Sequence, residues 1–130
     1  MTTFTNGPAK GSVLSLRRAP LFLRAVQDAK GNWDALDQID DKPKSSETVT
    51  VYRLVENRGM IHICSRSKGK NTGGYFAMAS YELHDEQPGD EIVRDTSKWQ
   101  EWCKAHAEDW VQERAARRTT NEAEKGSASS

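Results

Sequence analysis

Thr48-Val49-Thr50-Val51-Tyr52-Arg53-Leu54-Val55 is dense in β-branched and aromatic residues, the types that fit a pleated, half-buried surface. A strand is predicted here. Glu56-Asn57-Arg58-Gly59 follows with turn chemistry closing on a glycine, which predicts a hairpin reversal. Met60-Ile61-His62-Ile63-Cys64 then alternates, setting Ile61 and Ile63 on one face and Met60, His62 and Cys64 on the other. A polar loop over 65–73 leads to Gly74-Tyr75-Phe76-Ala77-Met78-Ala79-Ser80-Tyr81-Glu82-Leu83, a third strand. Thr48 to Leu83 therefore reads as three consecutive antiparallel strands.

Beyond Leu83, His84 to Gly89 is a polar connector and Asp90 to Arg94 can form a helical turn. Asp95, Thr96 or Ser97 can cap a long helix, and Ser97 with Gln100 matches a capping box. Trp99, Trp102, Cys103, His106, Trp110 and Val111 recur at helical spacing along one stripe, so this helix must lie on the sheet, with Trp102 central. Arg114, Arg117 and Arg118 are placed to complement a helix dipole ending near Arg118.

Upstream, Val13 to Arg18 and Leu21 to Val26 read as a kinked pair of strands broken at Pro20. Trp33, Leu36 and Ile39 recur every three residues, which predicts a short helical or 3₁₀ turn in an acidic surface loop. The expected fold is α+β: an antiparallel sheet of four or five strands with one long C-terminal helix packed on it. Residues 1–12 read as a flexible segment, 13–118 as the single domain and 119–130 as a disordered tail, from their polar composition.

The 130 residues carry 19 basic and 19 acidic side chains. Such a balance gives no global field toward nucleic acid or anionic lipid, so any such binding must be local. Charge is segregated, with Met1 to Arg24 only basic and Asp28 to Glu47 mostly acidic. An apolar leader, a membrane-length apolar run and a lipidation pattern are all lacking, which predicts a cytoplasmic protein without membrane contact. Cys64 and Cys103 sit at apolar-looking positions and read as reduced, buried thiols.

The strongest metal pattern joins His62-x-Cys64 on a strand to Cys103-x-x-His106 on the helix. If the helix covers Ile61 and Ile63, however, the two pairs point apart, so no metal is expected. Asp34, Asp37, Asp40 and Asp41 lack the spacing of a calcium loop. Neither cysteine has a flanking catalytic motif, and Gly69 to Gly74 lacks the phosphate-loop spacing and precedes a strand. The chain reads as a non-enzyme without a cofactor. Arg66, Lys68 and Lys70 form a basic hairpin tip that, with Arg17, Arg18 and Arg24, offers a positive surface for phosphates.

Arg17-Arg18-Ala19-Pro20-Leu21-Phe22-Leu23-Arg24, Trp33-Asp34-Ala35-Leu36-Asp37-Gln38 and Arg94-Asp95-Thr96 with Trp99 and Trp102-Cys103 resemble small uncharacterised proteins encoded by phages and prophages. The resemblance implies a compact accessory protein of a mobile element whose usual role is binding a host or phage macromolecule, with counter-defence one option; a host or phage protein is the expected partner. The functional expectation is accordingly a non-catalytic protein that engages or inhibits a host macromolecule. Trp33 and whichever sheet face the helix leaves open are its candidate contacts. The alternative is a nucleic-acid or anionic-ligand binder using loop 65–73. An open sheet edge also leaves a homo-oligomer as an option.

Overall fold

A computed structural model describes the backbone of residues 1–64, 66–67, 70–71 and 73–128, and the side chains of 1–64 and 73–118. Its strands are β1 (Thr2–Phe4), β2 (Val13–Leu14), β3 (Phe22–Gln27), β4 (Trp33–Leu36), β5 (Thr48–Ile63), β6 (Arg66–Ser67), β7 (Lys70–Asn71) and β8 (Gly74–Leu83). Two helices follow, α1 (Asp90–Val93) and α2 (Thr96–Ala128). Six strands form one sheet in the order β2-β1-β8-β5-β3-β4, antiparallel except where β1 runs parallel to β8. The architecture is therefore α+β, with one strand more than the upper expectation.

Alternation along β3 and β5 produces two cores, one on each face of the sheet. Leu23 and Ala25 of β3 and Tyr52 and Leu54 of β5 point inward with Phe4, Ala79 and Tyr81. Phe22 and Val51 point to the other face, where Val93, Trp99 and Trp110 cover them. The α2 stripe docks as its spacing predicts, and the Asp95 carboxylate accepts the Lys98 N–H at 3.0 Å as the helix cap. Trp99 and Trp110 are more deeply buried than the half-buried Trp102, while Val111 is exposed.

The expected hairpin at Glu56 to Gly59 is a bulged continuation of one 16-residue strand. Leu54 faces Tyr81 and Glu56 faces Ser80, so Val55 is extra; Asn57 faces Ala79 and Met60 faces Ala77, so Arg58 and Gly59 share one partner residue. Gly59 has φ of 95° and its N–H is held by Asn57 Oδ1 at 2.9 Å. A left-handed glycine serves a tight turn and a bulge equally well, so the local signal does not separate them.

Residues 1–12, expected to be flexible, are bound to the core. Phe4 and Ala9 are buried in the inner cluster. Tyr52 Oη accepts the Ala9 N–H at 2.8 Å and donates to Asn6 O at 3.1 Å. Gly7, at φ of 73°, passes so close that an added Cβ would lie 2.8 Å from Tyr52 Oη. Trp33 to Leu36 is strand β4, paired with β3, because Ala35 fills the inner core and Trp33 packs against it. Two further limits move: β2 is shorter than the predicted strand, and α2 continues past Arg118 to Ala128. Glu122, Ala123, Glu124 and Lys125 are good helix formers, which favours that continuation.

Candidate functional site

β3 accompanies β5 only from Thr48 to Arg53, and Leu21 O accepts the Leu54 N–H at 2.9 Å as the last bond on that side. Past this point β5 keeps β8 as its one ladder partner among the described residues. The result is a two-stranded ribbon with an open edge along β5. Cross-strand pairs share a face, so His62 stands opposite Tyr75 on the face of Met60. The His62 and Tyr75 rings lie 4.6 Å apart, and Cys64 Sγ meets His62 Nδ1 at 3.5 Å. Met60 is 49% exposed and Tyr75 61%, which makes this an apolar and aromatic strip in solvent. On the opposite face Ile61 is exposed too, so the condition under which the helix would cover it is not met. α2 crosses the sheet nearer its base, where Trp110 Nε1 donates to Leu54 O at 2.8 Å.

The residues singled out from sequence meet different fates. Arg66 and Lys70 lie on the backbone pair β6 and β7, but their side chains, and all of Lys68, lie outside the described residues. Arg17 stacks its guanidinium 4.5 Å from the Phe76 ring centre, and its N–H donates to Asp37 Oδ2 at 3.0 Å. Arg18 is exposed. Trp33 is half-buried on β4 rather than displayed on a loop, since its ring packs on the inner core.

Arg24 is no part of a positive surface. It is 1% exposed, donating to Val93 O at 2.9 Å, Gln38 O at 3.2 Å and Asp41 O at 2.8 Å. Three carbonyls thus solvate a buried cation and tie α1 to the loop after β4.

Cys64 is exposed rather than buried. Cys103 is half-buried, and burial pushes its thiol up to about 12. It lines an apolar cleft of about 260 Å³ with Leu36, Ile39 and Trp99. His106 Nδ1 pairs with Trp102 O at 2.8 Å. The two His/Cys pairs keep separate neighbours, and among the described residues no group of three metal-ligating side chains is placed to hold an ion.

A polar cleft that sequence reading missed lies between β5, the connector after β8 and α2, lined by Arg53, His84, Asp85, His106, Asp109 and Glu113 among others. Arg53 bonds Glu82 at 2.8 Å and Asp85 at 3.2 Å while stacking 4.2 Å from the Trp110 ring centre. His84 is 7% exposed, edge-on to Phe22 and Trp102, with both ring nitrogens buried and without hydrogen-bond partners among the described residues. Desolvation holds its pKa below the ordinary histidine value, against the pull of Asp85. Nothing in the polar run His84 to Gly89 signals this burial, which comes from packing under α2.

No helix among the described residues is long and apolar enough to cross a membrane. Comparison with protein-family models, curated proteins and solved structures returns no match for this chain.

Proposed function

We propose that this chain is a non-catalytic, cytoplasmic binding protein of a mobile element that engages a host protein, such as a defence component, through the β5–β8 ribbon. The observation that carries the reading is the exposed strip of Met60, His62 and Tyr75 beside an unpaired strand edge. Methionine and tyrosine are enriched where proteins meet, and an open edge adds main-chain hydrogen bonds to a partner's extended segment. The short-motif resemblance to phage accessory proteins supports the host context. Retention of a stoichiometric protein partner from nuclease-treated host lysate, lost on Met60→Asp with Tyr75→Asp, is the expected result. Unchanged retention by that double variant would remove the ribbon from the interface.

A second reading, nucleic-acid binding through loop 65–73, is favoured by the ribbon's shape, since a two-stranded ribbon has the width to enter a major groove. Exposed Arg58 lies on it. Retention that disappears with nuclease, and with charge reversal at Arg66, Lys68 and Lys70, selects this reading.

A further inference from the structure

Where the ribbon leaves the sheet, α2 and β5 enclose a cleft of about 600 Å³ lined by Val55, Glu56, Asn57, Arg114, Arg117 and Arg118. The three arginines fall at positions i, i+3 and i+4, so one helix face carries all of them. Arg117 has acidic partners, Glu82 at 3.1 Å and Glu113 at 3.0 Å. Among the described residues Arg114 and Arg118 have no carboxylate at ion-pair distance. Arg114 Nη1 reaches Leu54 O at 3.4 Å, but its Nε is buried and has no hydrogen-bond partner among the described residues.

The helix dipole does not account for this crowding. α2 runs on to Ala128, so Arg114 to Arg118 sit inside the helix rather than in its last turn, where a cation would meet free carbonyls. Like charges at this spacing destabilise a helix, and a buried donor without a partner carries its desolvation cost. Burial and the charge of Arg118 both hold the Arg114 guanidinium below its ordinary value. An anion entering between the two side chains would relieve both costs.

We propose that this cleft binds a phosphate group, gripped by Arg114 and Arg118, with the Asn57 amide as a further donor on the strand wall. Guanidinium forks match phosphate oxygens, which accept paired N–H bonds. Glu56, on the strand side, repels the anion toward the helix. The volume exceeds what one phosphate fills and suits a larger body carrying it, either a free phosphorylated small molecule or a nucleic-acid backbone.

The test uses the full chain with two probes, inorganic pyrophosphate by calorimetry and a fluorescent single-stranded oligodeoxynucleotide by anisotropy. Arg118→Glu, at an exposed position without an ion pair among the described residues, and Arg114→Gln should each weaken binding at least about tenfold. Lys104→Glu, an equal charge change elsewhere on α2, should change it less than about twofold. Binding of both probes in competition assigns the phosphate to a polymer. Binding of pyrophosphate alone assigns it to a small molecule. Failure of both probes to bind overturns the proposal, as does binding indifferent to Arg118→Glu. Oligonucleotide binding that is lost on charge reversal at Arg66, Lys68 and Lys70 but kept in Arg118→Glu belongs to the loop, and overturns the proposal unless pyrophosphate binding falls with Arg118→Glu. Met60→Asp with Tyr75→Asp, which disables the ribbon strip, should leave pyrophosphate binding intact, so the two readings fail separately.

Discussion

Thr48 to Leu54 and Val55 to Ile63 belong to one strand, which pairs with β8 from Tyr52 onward, yet the surroundings of the two halves differ throughout. The first half also pairs with β3 and carries Val51, Tyr52, Arg53 and Leu54 buried between the two cores. The second has an open edge and leaves Met60 and Ile61 in solvent. Backbone pairing alone therefore does not make a strand part of the core; a covered face does. Apolar residues kept on an uncovered ribbon add little to folding, which is the physical reason to assign them to binding.

The largest expected effect lies in the covered half. Trp110 is 2% exposed and its indole N–H bonds Leu54 O. Trp110→Ala should cost about 3–5 kcal/mol, the range for truncating a buried aromatic, measured by urea unfolding. Trp102→Ala, at a half-buried position, should cost less. If Trp102 is the costlier of the two, the anchoring of α2 beside Leu54 is wrong.

Gly7 probes whether the N-terminal segment truly closes the inner core. Gly7→Ala meets both a positive φ of 73° and the 2.8 Å approach to Tyr52 Oη, so a loss of about 1–3 kcal/mol is expected. Gly59→Ala has the same backbone strain but open space around it, and should cost less. Equal costs would mean that residues 1–12 do not press on Tyr52.

pH sharpens the same contrast. His84 is buried with a lowered pKa, so below the ordinary histidine value the unfolded chain binds a proton that the folded chain resists. Its contribution is complete above about pH 6.5 and is lost as pH falls toward the folded value. Asp85 and Glu86 favour the proton, while Arg53 and His106 oppose it. The urea midpoint should fall between pH 7.5 and 5.5, and His84→Phe should flatten that fall. A midpoint with identical pH dependence in both proteins would place His84 in solvent.

Much of this was legible where local pattern and burial agree. The 3.6-residue spacing of Trp99, Trp102, Cys103 and Trp110 reports a docked helix because one stripe must be covered. Alternation puts His62 and Cys64 on one face, as the contact between them shows. Alternation says nothing about whether a face is covered, so it pairs Ile61 with Ile63 without showing that Ile61 lies in solvent. Phe4 and Ala9 sit in a polar segment whose composition suggests disorder, yet a few anchors such as the Tyr52 hydroxyl suffice to hold it. The arginine cleft was hidden for a different reason, since it exists only where a helix passes a bulged strand far away in sequence.

The smallest expected effect concerns the ribbon itself. Met60→Ser with Tyr75→Ser removes two apolar groups that are already largely hydrated, so stability should change by no more than about 0.5 kcal/mol per site. The ladder between β5 and β8 stays, because Met60 faces Ala77 and His62 faces Tyr75 through backbone bonds that no side chain supplies. Partner retention should nevertheless fall, since an interface depends on desolvating these same groups. Stability and binding thus separate in this half of β5, whereas in the covered half any loss of binding would follow loss of fold. Urea midpoints compared with retention for the double variant decide it: a drop in stability of more than about 2 kcal/mol would show that the strip packs within the chain, and the contrast between the two halves of the strand would fail.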